Sequence, residues 1–423
     1  MRIQTSHRSR DTAAPRRPQA LRRQAATPDL PAIEGGAPVR SSFLPFARPS
    51  LGPEEETAVI EVLRSGWLGT GARTDRFEEE FASLIGTAHA IAVGSCTAGL
   101  HLALRALGVG PGDEVIAPAM TFPATINAVI HAGGTPVLAD VLPGRLTIDP
   151  AAVAAAITPR TRAIIAVHFA GWPCEMGALR QIARDRGLAL VEDAAHALGA
   201  TYSGCAAGAL GDVAVFSFYP TKNITTGEGG MITTDRVDLV PQLRRERLHG
   251  IDRDASRRAD GSYEHWEAVS LGWKYNLTDI AAAIGLAQLP KLARFLDERR
   301  AQDACYRERL AGLAVEPLSG PPEARTAAHL FPVLLAPRAL AVGRDRVLRA
   351  LLAENVGVGV HFRALPLHRH VRRTLGVAPE DFPVALDASD RLLSLPLYPG
   401  MTGSDQDDVI TALERVLRWY AAG

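Results

Sequence analysis

The stretch Phe216-Ser217-Phe218-Tyr219-Pro220-Thr221-Lys222-Asn223, closing on Gly227-Glu228-Gly229-Gly230, decides how this chain reads. The apolar run from Val213 to Ser217 has the composition of a buried strand, and it stops at a polar turn that carries one lysine. Upstream, a second apolar run (Leu188 to Val191) stops at Glu192-Asp193-Ala194-Ala195-His196. Two strand ends thus bring an amine and a carboxylate toward what can be one edge of a sheet. That edge is where open α/β sheets bind ligands.

Around these two runs the punctuation is regular. Pro53 opens a helical pattern that Gly66 stops, and Phe77, Phe81, Leu84 and Ile85 repeat at helical spacing up to Gly86. Ile91 to Val93 reads as a short strand entering Gly94-Ser95-Cys96-Thr97, and a helix follows from Ala98 to Leu107. Further short runs rich in Val, Ile and Ala (114–117, 136–140, 163–168, 231–234) alternate with helical ones. Such a pattern predicts an α/β chain with a mostly parallel mixed sheet between helices. A long helix is expected from Leu289 to Leu313, and a strand from Val356 to Phe362. The expected division is an Arg/Pro/Ala-rich disordered extension over 1–40, a large domain over 41–290 and a smaller C-terminal α+β domain over 291–423.

Composition narrows the function classes. The 423 residues are 47% hydrophobic and 22% charged, with 46 basic residues against 46 acidic ones. A balanced charge gives no support for a nucleic acid or an anionic membrane surface as the partner. No apolar run approaches the roughly 18–20 residues of a membrane span. Four scattered cysteines (Cys96, Cys174, Cys205, Cys305) form no CxxC pair, which fits a reducing cytoplasm and no structural metal. The histidines His361, His368 and His370 lack metal-site spacing. The first forty residues, with paired arginines and few large apolar groups, cannot bury enough surface to order themselves. The charged stretch Asp252–Glu267 reads as an exposed loop.

Each candidate has an ordinary alternative. A lysine at a strand end is commonly a solvated surface group, and Glu192-Asp193 could simply cap a helix. Gly94-Ser95-Cys96-Thr97 could be a plain strand–helix turn, although its N–H groups ahead of a helix suit a phosphate. Ser217, five residues before Lys222, could reach the same phosphate or satisfy its own backbone. Phe122 could be core or a platform for a flat ring, and His196 a buried structural histidine. Taken together the groups favour pyridoxal phosphate (PLP), whose aldehyde needs an amine and whose ring nitrogen needs a carboxylate.

These segments, in this order, resemble the DegT/DnrJ/EryC1/StrS family of sugar aminotransferases, a branch of the fold-type I (aspartate aminotransferase-like) PLP enzymes. The resemblance runs from about Leu44-Pro45-Phe46 to the C-terminus. It takes in Ser65-Gly66-Trp67, Ser95-Cys96-Thr97, Val191 to His196, Phe216 to Gly230, Gly272 to Asp279, Ala282 to Gly285 and Leu395 to Pro399. It implies that Lys222 is the Schiff-base lysine and Asp193 the partner of the ring nitrogen. By the same likeness Phe122 stacks on the ring, His196 contacts the cofactor, and Cys96, Thr97 and Ser217 hold the phosphate. Cys96 stands where the family often has Gly, which a backbone contact tolerates. Asn276 is implied to cross a homodimer interface to the partner's phosphate, and His361 to face the substrate. The implied reaction is ping-pong transfer from L-glutamate, leaving 2-oxoglutarate, to a keto group of a nucleotide-linked sugar. A keto-cyclitol acceptor stays open, as do a deoxysugar dehydratase and a non-catalytic regulatory homologue, though Lys222 argues against the last two.

Overall fold

The computed structural model describes residues 30–252 and 265–422. Its strands, in chain order among those residues, begin with β1 (His89–Val93), β2 (Glu114–Pro118), β3 (Thr135–Ala139), β4 (Thr161–Val167) and β5 (Ala189–Asp193). They continue with β6 (Thr201–Tyr202), β7 (Cys205–Ala206), β8 (Val213–Ser217), β9 (Gly230–Thr234), β10 (Val315–Pro317), β11 (Ala324–Arg325), β12 (Phe331–Leu335) and β13 (Leu392–Leu395). A seven-stranded sheet runs β1-β9-β8-β5-β4-β2-β3, with β9 antiparallel to both of its neighbours and every other pairing parallel. The expected mixed, mostly parallel sheet is therefore present. Its strands are nearly continuous in Val, Ile and Ala because helices cover both faces.

Local chemistry sets the helix ends that matter for the site. Helix α1 (Pro53–Ser65) starts with proline in its first turn and the Glu55 carboxylate on the Gly52 N–H (2.7 Å), and Gly66 ends it with a φ of 74°. Helix α2 is Ala72–Ile85, and α3 (Cys96–Ala106) is capped by the Ser95 hydroxyl, which accepts the Ala98 N–H at 3.1 Å. Gly99 lets α3 lie directly on the sheet, since a Cβ there would come within 2.4 Å of Val215 Cγ1. Helix α4 is Ala124–His131.

One buried group braces the strand end under the site. Glu192 is fully buried, and its carboxylate accepts the N–H groups of Gly208 (2.9 Å), Leu210 (2.7 Å) and Gly211 (2.7 Å). His168 Nδ1 accepts the Cys174 N–H, so its Nε2 carries the proton and donates to Glu192 at 2.8 Å. Glu192 does not cap a helix; it ties the loop before β8 to β5. Glu192→Ala would strand four donors, three of them buried, and it is expected to cost about 3–5 kcal/mol in a urea titration. A loss below about 1 kcal/mol would show that the loop is held by other means.

A second hydrophobic cluster lies around β10-β12-β13 and the helices Arg344–Ala353 and Gly403–Trp419. The helix Leu292–Arg309 links the two regions, shorter than the expected 289–313 because residues 289–291 form a 3-10 turn around Pro290. Two expectations are corrected here. Residues 30–40 are not part of a loose extension: Glu354 accepts the N–H groups of Ala32 and Val39, both at 2.8 Å. Ile33 and Val39 pack on the second cluster, few in number but enough to dock the segment. Residues 1–29 lie outside the described residues, as do 253–264 of the charged stretch. The expected strand 356–362 reduces to single bridges, Leu44 to Val356 and Gly359 to Ser394, where Gly357 and Gly359 break the run. Among the described residues no helix is long and apolar enough to cross a membrane.

Candidate active site

The turn that carries Lys222 is built by its own backbone. Lys222 N–H donates to Tyr219 O (2.9 Å), Phe218 N–H to Gly229 O (2.9 Å), and Thr226 N–H to Phe218 O (3.0 Å). Gly227 takes a φ of 81°, which the return of the loop requires. The lysine emerges at the end of β8 into a cavity of about 500 Å³.

That cavity gathers eight of the nine residues singled out by the sequence: Cys96, Thr97, Phe122, Asp193, His196, Ser217, Lys222 and His361. The ninth, Asn276, does not line it. Its side chain donates to Thr70 Oγ1 at 2.6 Å, and its backbone bridges Val93. Among the other lining residues, three that had no role in the sequence reading complete the site. Thr125 on α4 donates its hydroxyl to Asp193 Oδ2 at 2.9 Å, and His329 and Phe362 close the wall.

Asp193 ends β5, paired in register with Val215 of β8, so β5 and β8 deliver acid and amine to the same sheet edge. Burial drives the Asp193 carboxyl above its ordinary range, against the opposing hydrogen bonds from Thr125 and the Ala195 N–H. Cys96 turns its thiol toward Asp193 Oδ1 (3.9 Å) and Val215 O (3.7 Å). Burial pushes that thiol well up, with the Asp193 charge acting the same way, so it stays S–H. Lys222 is half-buried, with its free end open to the cavity, and desolvation lowers its amine to about 8 although the Asp193 charge pulls upward. Its Nζ makes no hydrogen bond among the described residues.

The rest of the lining suits a flat, phosphorylated ring. The N–H groups of Cys96 and Thr97 open α3 without backbone partners, and the Ser217 hydroxyl stands at the neighbouring strand end. Phe122 is 58% exposed on the cavity side, an uncommon exposure for phenylalanine, with Phe362 at 5.7 Å between ring centroids. His196 accepts the Ala170 N–H at Nδ1 (3.3 Å), which leaves its proton on Nε2. His361 meets Ser394 Oγ at 3.0 Å and stacks on Phe46 at 5.0 Å; burial and the Lys222 charge lower it to about 4. An unpartnered amine, a buried acid, unpaired helix N–H groups and an open aromatic face fit PLP together. Among the described residues no cluster of three or more His, Cys, Asp or Glu could hold a metal.

This architecture and this cavity define an α/β enzyme of the fold-type I kind. The family model of the DegT/DnrJ/EryC1/StrS aminotransferases matches residues 49–414, and the chain belongs to that family. It is 43% identical over 385 residues to the spore coat polysaccharide biosynthesis protein SpsC of Bacillus subtilis (strain 168), covering 90% of this chain and 98% of that one. Among solved structures it is similar to Spr1654 of Streptococcus pneumoniae, described as a sugar aminotransferase, in its PLP form. The TM-score is 0.83 at 31% identity, over 89% of this chain and 99% of that one. DesV of S. venezuelae is 36% identical with a TM-score of 0.78, over 86% and 94% of the two chains.

Proposed function

We propose that the protein is a PLP-dependent aminotransferase that moves the amino group of L-glutamate to a keto group of a nucleotide-linked sugar. The observation that carries this reading is the pairing of Lys222 and Asp193 in one cavity, beside the unpartnered N–H groups of α3. The cofactor and the reaction class agree with the family and with its PLP-form and PMP-form relative. The work of SpsC in polysaccharide synthesis supports a sugar as acceptor.

PLP, when bound, supplies an electron sink for charge released at the substrate carbon. Lys222 Nζ would hold the cofactor's aldehyde, and its free amine would take up and return the substrate proton. The Asp193 carboxylate would keep a proton on the ring nitrogen, with Thr125 fixing the carboxylate's orientation. The N–H groups of Cys96 and Thr97 and the Ser217 hydroxyl would hold the phosphate, and Phe122 and His196 would hold the ring. His361 stands on the substrate side. Asn276, which does not line the cavity of its own chain, is assigned to the partner's phosphate in a homodimer. Unpaired cysteines fit a cytoplasmic enzyme.

Mixed with PLP, the protein is expected to show an absorption band that L-glutamate removes and a nucleotide-linked ketosugar restores. A band indifferent to glutamate would overturn the reading, and a panel of ketosugars identifies the acceptor. The depressed amine gives a second expectation. Only neutral Lys222 attacks an aldehyde, so capture of PLP by cofactor-free protein should speed up with pH and level off, with its midpoint at about 8. A midpoint near the ordinary lysine value of about 10.4 would show that burial leaves the amine unchanged.

A further inference from the structure

Asn223 follows Lys222 directly and is buried. Its side-chain nitrogen donates to two carbonyls, Leu198 O at 3.1 Å and Ala327 O at 2.9 Å. Carbonyl oxygens only accept, so the amide cannot be flipped, and Oδ1 is left as a pure acceptor. His329 Nδ1 lies 3.2 Å from that oxygen, so Nδ1 must carry the ring proton. Burial, with the charges of Lys222 and Arg299 adding to it, keeps the ring from taking a second proton. A neutral imidazole protonated at Nδ1 has its lone pair at Nε2.

His329 borders the cavity, and its Nε2 has no partner among the described residues. Its ring lies 4.5 Å from that of His196, tilted by 40°. His196 carries its proton on Nε2, so the wall beside Lys222 presents one donor and one acceptor side by side. A ring that stays neutral does not shuttle protons; it accepts a hydrogen bond. Glutamate has little use for such a group, since its carboxylates need donors and its amine goes to the cofactor.

We propose, resting on the aminotransferase reading above, that His329 Nε2 accepts a hydrogen bond from a hydroxyl of the amino-group acceptor and so helps select it. Asn223 is the positioning residue that holds His329 in the required tautomer. The lysine turn thus carries both the reacting amine and, one residue later, the group that aims the wall toward substrate.

Two isosteric replacements separate this role from a packing role. His329→Asn keeps a donor near Nδ1 for Asn223 and lacks the distal acceptor, whereas His329→Gln keeps an acceptor near Nε2 and lacks the link. The glutamate half-reaction is followed by absorbance on PLP-loaded protein, and the acceptor half on protein loaded with pyridoxamine phosphate, using whichever nucleotide-linked ketohexose of a panel the wild type turns over fastest. The glutamate half should stay within about twofold of wild type in both variants. The ketohexose half should fall about tenfold in His329→Asn and recover to within about threefold in His329→Gln. Equal losses in the two variants, or a glutamate half that falls in step with the sugar half, would overturn the proposal. The nitrogen-15 shifts of His329 in wild-type protein give a readout apart from turnover. They should report a protonated Nδ1 and a bare Nε2, and the reverse tautomer would also overturn it. A wild-type chain unresponsive to glutamate would instead remove the aminotransferase reading, while the nitrogen shifts still judge the tautomer.

Discussion

Lys222→Ala is expected to cut single-turnover reaction with L-glutamate by at least about 10⁴-fold, since it removes both the covalent attachment and the proton carrier. Lys222→Arg should be equally inactive, because a guanidinium is neither nucleophile nor base near neutral pH. Stability separates this loss from misfolding. The Lys222 amine sits at about 8 in the folded chain, below its unfolded value. Below pH 8 the lysine is protonated in both states, and the folded chain bears the full desolvation penalty. As pH rises from about 8 toward the ordinary lysine value, that penalty fades. Cofactor-free Lys222→Ala should therefore melt higher than wild type at pH 7, with the difference shrinking at alkaline pH. A variant that melts lower at pH 7, or retains more than about a hundredth of the activity, would remove Lys222 from this role.

Asp193→Asn is the second large effect. The amide has the shape of the carboxylate and can still accept the Thr125 hydroxyl, so the fold should survive. The negative charge that holds a proton on the ring nitrogen is lost. A fall of about 10²–10³-fold in kcat is expected, the scale at which removal of one preorganised electrostatic group is felt. The spectrum of the bound cofactor should titrate at lower pH than in wild type, because a neutral amide holds that proton less well. Activity within about threefold of wild type would show that Asp193 is structural, held by Thr125 and the Ala195 N–H for packing alone.

Much of this was legible in the chain. Strands β5 and β8 end at the residues their composition predicts, because each is a short unbroken apolar run stopped by polar groups. Lys222 and Asp193 stood out for that reason. Phe122, Cys96, Thr97 and Ser217 lie at strand ends or helix starts, where the local pattern left them open and the family likeness gave them their expected roles. What stayed hidden depends on distant contacts. His329 is a lone histidine ahead of an apolar run, and it gains meaning only through Asn223, 106 positions away. The Thr125 hydroxyl is likewise ordinary until its contact with Asp193, 68 positions on, is seen. Residues 30–40 were misread because the composition of the arginine-rich sequence before them hid the apolar groups Ile33 and Val39 that dock the segment. The run 356–362 has strand-like alternation, but two glycines leave it only isolated bridges.

The helix Leu292–Arg309 has a consequence for how the molecule comes apart. Leu292, Phe295 and Leu296 belong to the packing beneath the lysine turn, while Tyr306 belongs to the second cluster and donates its hydroxyl to Pro396 O at 2.9 Å. One rigid rod thus contributes to two cores, and neither can loosen without uncovering part of the other. Cooperative melting of the two as a unit follows, so calorimetry on the cofactor-free chain should give one endotherm rather than two.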